Sequence, residues 1–157
     1  MHNQGRVVAC DVDDERLATV QHLATRLGLH IVEAVKIDPY RPETIPEGLF
    51  DAVLADVPCS NTGVMGRRPE LRWRLSPSDV SELVTLQQRL LRRAISRVKL
   101  GGVVIYSTCS IEPEENAELV RAILNETPGL TLEAEEASVP GRPADGGYWA
   151  RLRKVIA

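Results

Sequence analysis

The chain predicts an α/β protein built on a mostly parallel sheet with helices on both faces. Three observations carry that expectation. Short apolar runs of strand length alternate with amphipathic segments of helix length. The run Ala52-Val53-Leu54-Ala55 is apolar at every position, as in a central parallel strand covered on both sides. The apolar runs end in residues with chemistry, namely Asp11, Asp38, Asp56 and Cys109. In open α/β sheets, ligands bind at the carboxyl ends of the strands.

The elements follow in order. Arg6 to Asp11 reads as a short buried strand, with Cys10 as a small apolar residue inside it. Asp13 is placed to cap a helix carrying Leu17, Val20, Ala24 and Leu27, and Gly28 ends it. His30 to Ile37 is a second strand, and Pro39 to Pro46 a loop. Phe50 to Val57 is the third strand. Residues 58–75 hold Pro, Gly and four Arg, and predict a long surface loop. Ser76-Pro77-Ser78-Asp79 is a helix start, with a capping Ser, Pro at the first position and Asp in the first turn. An apolar stripe from Val80 to Val98 continues that helix, and Gly101-Gly102 is expected to close it and open the strand Val103 to Tyr106. Pro113 starts a further helix carrying Val120, Ile123 and Leu124. Two weaker strands are expected near Leu130 to Leu132 and Tyr148 to Leu152.

A length of 157 residues fits one domain, 1–157, long enough to bury a sizeable core. No apolar run reaches the length of a membrane span, and residues 1–5 lack the features of a signal peptide. Three cysteines, an odd number, argue against a disulfide framework and for free thiols in a reducing cytoplasm. No metal site is expected. The net charge of -3 does not advertise nucleic-acid binding, yet the charge is uneven. Residues 67–99 hold nine Arg or Lys against three acidic residues, and residues 112–136 hold eight Glu against one Arg. An RNA contact, if there is one, belongs on the basic side.

If the strands are parallel, three carboxylates and two thiols, Cys59 and Cys109, converge on one rim. A carboxylate after the first strand suits a ribose, whose hydroxyls it accepts, although a strand-end Asp serves equally well as a helix cap or turn residue. Asp11 lacks the Gly-rich turn that usually lies roughly 20 residues upstream. Asp38, before a Pro, reads locally as a turn residue. For both thiols a buried, inert role is the ordinary alternative.

Two motifs decide between these readings. Asp56-Val57-Pro58-Cys59-Ser60-Asn61-Thr62-Gly63-Val64, followed by Arg67-Arg68-Pro69-Glu70, resembles the Pro-Cys motif of the Nol/Nop/Sun family of RNA cytosine-C5 methyltransferases. Tyr106-Ser107-Thr108-Cys109-Ser110-Ile111, with Pro113-Glu114-Glu115-Asn116, resembles that family's Thr-Cys motif. Asp145 to Leu152 is similar to its final strand. The resemblance runs from Arg6 to Lys154 and is weakest after Leu132.

The resemblance implies a Rossmann-like methyltransferase fold, S-adenosylmethionine as cofactor and RNA, specifically ribosomal RNA, as partner. It makes Cys109 the nucleophile and Cys59 the second cysteine, needed for product release. Asp11 corresponds to the carboxylate on the cofactor ribose, Asp38 to the one near the adenine, and Asp56 to the one beside the methyl donor and the target base. C5 of cytosine is a poor nucleophile. A thiolate adding to C6 turns the ring into an enamine, and C5 can then attack a sulfonium methyl. The base must leave its stack to be reached. Arg67, Arg68, Arg72 and Trp73 form a basic loop with one aromatic, suited to phosphate and to an unpaired base. The rival expectation is a solvated loop with Trp73 folded inward, while Arg89, Arg92, Arg93 and Arg97 are expected to be the wet face of an amphipathic helix.

Two alternatives stay open at this point. A DNA cytosine-C5 methyltransferase would use Cys59 as the nucleophile. A non-catalytic RNA-binding or interaction fragment would keep the motifs unused. The family also places a strand and a Gly-rich loop before the position of Arg6. The expectation is therefore an N-terminally truncated domain that binds its cofactor poorly and is either marginally stable or self-associating through unpaired sheet edges.

Overall fold

A computed structural model describes residues 1–141 and 144–155, which fall into two compact units, Met1–Gly48 and Leu49–Ala157. The first unit is one strand–helix–strand motif. Strand β1 (Val7–Asp11) leads into helix α1 (Asp14–Arg26) and returns as strand β2 (Val32–Lys36). The strands are parallel, in register from Val7↔Val32 to Asp11↔Lys36. The Asp13 side chain caps α1 by accepting from the backbone N–H of Glu15 and Arg16. Gly28 takes a left-handed φ of 66° just past the helix, where a side chain would be strained. Helix α1 buries Leu17 and Ala24. Cys10 is exposed on β1 rather than buried, because the strand turns that face outward.

The second unit holds the larger core. Its elements are β3 (Phe50–Asp56), a short helix α2 (Leu71–Arg74), α3 (Pro77–Ser96), β4 (Val98–Thr108), α4 (Ala117–Glu126), β5 (Leu130–Ser138) and β6 (Gly147–Lys154). The sheet order is β3-β4-β6-β5. Strands β3 and β4 are parallel, while β6 inserts antiparallel to both β4 and β5. Helix α3 begins with the expected signal, a capping box in which Ser76 and Asp79 exchange backbone and side-chain hydrogen bonds. The core joins Leu91 and Ile95 of α3, Val104 and Tyr106 of β4, Ile123 of α4 and Leu152 of β6.

Three expectations are corrected here. Gly101-Gly102 does not close α3: the helix ends at Ser96, and both glycines lie inside the long strand β4. The reason is tertiary. Phe50 donates its N–H to the Arg97 carbonyl at 2.8 Å and pairs with Val98, which draws residues 98–100 into the sheet; Gly101, at φ 77°, absorbs the shift in register. Strand β3 is parallel to β4 as expected but lies at the edge of its sheet, and Leu54 is 67% exposed. The loop 58–75 is not all surface, because Cys59, Ser60, Thr62 and Gly63 are buried.

Candidate active site

The β3–β4 pairing brings the two motifs together. Asp56 lies opposite Ser107, and the Val57 N–H continues the ladder to the Ser107 carbonyl at 3.1 Å. Cys59 follows three residues after Asp56 and Cys109 two residues after Ser107, so both leave neighbouring parallel strands at the same end. Their sulfurs stand 3.2 Å apart.

The two thiols have different surroundings. Cys59 is 8% exposed and Cys109 is half-buried. Cys109 Sγ lies 3.0 Å from Asn61 Oδ1, and Asn61 Nδ2 donates to the Cys59 carbonyl at 2.8 Å. Asn61 holds this position with a left-handed φ of 60°, a conformation that Asn tolerates. Burial pushes the Cys59 thiol up to about 12, and its hydrogen bond with Cys109 adds to the effect. Cys59 therefore keeps its proton at neutral pH.

The carboxylates lie at strand ends, as their spacing implied. Asp56 is exposed at the end of β3. In the first unit, Asp11 and Asp38 lie at or just beyond the carboxyl ends of β1 and β2. Each also serves as a turn acceptor: Asp11 Oδ1 takes the Asp13 N–H at 2.9 Å, and Asp38 Oδ1 takes the Tyr40 N–H at 2.8 Å. A carboxylate has about four acceptor positions, so the turn role leaves room for a ligand hydroxyl.

A set of buried polar residues was not foreseen. Glu115 is fully buried, and its carboxylate accepts from the Ser60 N–H (2.9 Å), Gln87 Nε2 (2.8 Å), Ser110 Oγ (2.5 Å) and Ser60 Oγ. Asn116 donates to the Ser110 carbonyl at 2.8 Å and accepts from Thr108 Oγ1 at 2.6 Å. Tyr106, whose hydroxyl is held protonated by burial, donates to the Glu115 carbonyl at 2.7 Å. The loops are also joined through backbone: Gly63 N–H reaches the Cys109 carbonyl at 3.0 Å, and Gly146 N–H reaches the Gly63 carbonyl at 2.9 Å. A Cβ on Gly63 would stand 2.3 Å from the Gly146 oxygen, so no side chain fits there. The signal for Glu115 was present in Pro113-Glu114-Glu115-Asn116, but nothing local separates the buried Glu from its exposed neighbour in so Glu-rich a segment.

A model of the 16S rRNA methyltransferase RsmB/F family matches residues 1–146. The chain belongs to this family. The ribosomal RNA small subunit methyltransferase B of Sodalis glossinidius is 39% identical over 158 residues, covering 95% of this chain and 36% of that protein. Among solved structures, PH0851 aligns with a TM-score of 0.89 and 37% identity over 98% of this chain and 38% of its own. NSun6 from Pyrococcus horikoshii, solved with SFG, aligns with a TM-score of 0.84 and 27% identity over 99% and 43%. The fold is the Rossmann-like methyltransferase fold. The chain spans 36% of the length of the RsmB protein that it matches.

In this RsmB/F-family chain, the basic loop lies between the buried Pro-Cys segment and α3. Trp73 is 90% exposed, so the expectation of an inward-folded ring is not met. Arg67 forms an ion pair with Asp145 at 3.1 Å, whereas Arg68 and Arg72 are exposed on the loop and on α2. Among the described residues no helix is long and apolar enough to cross a membrane, and no group of three or more His, Cys, Asp or Glu is placed to hold a metal.

Proposed function

We propose that this chain carries the catalytic residues of an RNA cytosine-C5 methyltransferase, acting on ribosomal RNA in the cytoplasm through a covalent bond between Cys109 and C6 of the base. The observation that carries this reading is the pair of thiols 3.2 Å apart at the carboxyl ends of two parallel strands, one buried and protonated, the other more accessible. Both units serve one methyltransferase domain in this reading.

The cofactor is S-adenosylmethionine, which supplies an electrophilic methyl group on a sulfonium. The donor set suits it: Asp11 and Asp38 are strand-end carboxylates with acceptor positions left for ribose hydroxyls and the adenine amine, and Asp56 is the exposed carboxylate nearest the thiols in sequence.

Cys109 adds to C6 as a thiolate, and the C5–C6 electron pair moves so that C5 becomes nucleophilic. Asp56 hydrogen-bonds the amino edge of the base and holds the ring against Cys109. Once C5 carries the methyl group, its proton leaves to water, the C5–C6 double bond re-forms, and the C6–S pair returns to Cys109. Cys59, kept protonated by burial, hydrogen-bonds the departing Cys109 thiolate through its S–H, a role that the 3.2 Å separation supports. Arg68, Arg72 and Trp73 contact the RNA, and Arg67 shares that task with its Asp145 ion pair.

RNA carrying 5-fluorocytosine tests the assignment, because a C5 fluorine cannot depart as the proton does and the adduct is trapped. With S-adenosylmethionine present, mass spectrometry should find the RNA on the peptide of Cys109. Cys109→Ser should form no adduct, and Cys59→Ala should accumulate adduct even on ordinary RNA. An adduct on Cys59 would support the DNA-type assignment. No adduct, together with no calorimetric binding of the cofactor, would support a non-catalytic module.

A further inference from the structure

We propose that Glu115 is the positioning residue of the thiol pair: its carboxylate ties the Cys59 loop to the Cys109 loop and so sets the distance between the sulfurs. The inference rests on the two-thiol reading above and adds how the pair is held.

The connectivity is specific. Ser60 follows Cys59 directly, and Ser110 follows Cys109 directly; both donate to Glu115. Gln87 of α3 donates through Nε2 both to Glu115 at 2.8 Å and to the carbonyl of Pro58, the residue before Cys59, at 2.9 Å. Cys59 is thus held from both sides, and one carboxylate joins its loop to that of the other cysteine. Glu115 itself sits in a single 3-10 turn, Pro113–Glu115, immediately before α4, so the clamp is anchored to the packed helix layer.

The direction of the protons calls for an acceptor at this position. The Ile111 N–H donates to Thr62 Oγ1 at 3.0 Å, and the Glu112 N–H donates to Ser110 Oγ at 3.0 Å. Thr62 Oγ1 lies 3.1 Å from Ser110 Oγ, where its own proton completes the set. Each hydroxyl carries one proton, and those of Ser60 and Ser110 both end on Glu115. A carboxylate accepts at both oxygens and suits this arrangement; an amide would aim N–H groups at one side of it. Glu115 is fully buried and engaged at both oxygens, so it acts through the cysteines and does not touch substrate.

The test needs neither RNA nor cofactor, so its outcome is independent of adduct trapping. In a Cys10→Ser background, a reduced chain is treated with an aromatic disulfide, RSSR. The Cys109 thiolate attacks it, forming Cys109–S–SR and releasing one RS⁻. Cys59 then loses its proton and attacks the Cys109 sulfur, forming the Cys59–Cys109 disulfide and releasing a second RS⁻. Two electrons pass to the reagent. The second release is intramolecular, and its rate reports how often the sulfurs meet. Glu115→Gln should slow it at least tenfold, Ser110→Ala less, and Glu114→Gln, on the exposed neighbour, not at all. Urea unfolding of each variant is measured alongside. A wild-type second rate in folded Glu115→Gln would overturn the proposal. Should Glu115→Gln fail to fold, Ser60→Ala and Ser110→Ala decide: wild-type rates in both would overturn it, and slowing in both would uphold it.

Discussion

The pairs β1–β2 and β3–β4 are the same local device, two parallel strands whose carboxyl ends carry the candidate chemistry, yet they are held in different ways. Asp11 and Asp38 are oriented by their own turns, through N–H groups two residues ahead. Cys59 and Cys109 are oriented by residues far apart in sequence, through Glu115, Gln87 and the backbone bond from Gly63. The supporting cores differ in the same sense. Helix α1 buries Leu17 and Ala24 behind the first pair, whereas the second pair is packed against α3 and α4 through Leu91, Tyr106 and Ile123. The difference teaches what each chemistry needs. A carboxylate accepting a hydroxyl tolerates some play, but two sulfurs that act together on one base, as proposed above, do not.

The comparison breaks most sharply at the proposed nucleophile. Cys109→Ser should lower methyl transfer by at least about 10³-fold, because the covalent route is closed, while Asp38→Ala should mainly weaken cofactor binding. Radiolabelled methyl transfer at saturating and limiting cofactor separates the two. Equal effects of both substitutions on the maximal rate would remove the distinction. Next in size is the core. Leu91→Ala, at a fully buried position, should cost about 3 kcal/mol, visible in urea unfolding. Leu17→Ala should instead raise hydrogen exchange in β1 and β2 and leave β4 protected, since the first unit has its own small core. Loss of protection in β4 would mean that the two units unfold as one.

Cys59 supplies a prediction in pH. Its thiol is shifted from an ordinary value of 9.0 up to about 12, so the folded state disfavours its ionised form. The unfolded chain releases this proton first. The contribution of Cys59 to stability is therefore complete below about pH 9 and falls away as pH rises toward 12. Alkylation should follow the same order: Cys109 reacts first, and Cys59 stays protected until the solution is strongly alkaline. Alkylation of Cys59 at neutral pH, located by peptide mapping, would show that the buried thiol is not held as described.

Much of the fold could be read in the chain because its signals are local. Asp13 and the Ser76–Asp79 box cap the helices they were expected to cap, and the carboxyl ends of β1, β2, β3 and β4 fall close to their expected places, although β4 starts earlier, at Val98, and β5 runs on to Ser138. The errors arise where a distant partner decides. Gly101-Gly102 carries the mark of a helix end, but pairing between Phe50 and Val98 places both glycines within a strand. Ala52 to Ala55 reads as covered on both faces, and nothing within those four residues shows that Leu54 is open. At the candidate site, the cysteines stand out because their motifs are unusual. Glu115 does not, because burial of one Glu among many is a tertiary fact that no spacing rule reveals.

The smallest expected effect concerns the basic loop, which extends the contrast between held and open segments. Within one stretch of chain, Cys59 to Gly63 is largely buried and tied down, while Arg68, Arg72 and Trp73 are exposed. The exposed part is suited to bind RNA through phosphate charge and stacking, neither of which needs a rigid frame. Arg72→Ala should reduce the salt dependence of RNA binding by about 0.7–0.9 in slope, because one phosphate is no longer neutralised. Trp73→Ala should cost about 1–3 kcal/mol of affinity with the slope unchanged, because stacking releases no counterion. Arg67→Ala should do less than Arg72→Ala, since Arg67 already spends part of its charge on Asp145 at 3.1 Å. Titrations of a short single-stranded RNA across a salt series measure all three. A larger slope change for Arg67 than for Arg72 would mean that the ion pair opens to admit a phosphate, and that the loop is less open in the complex than it is alone.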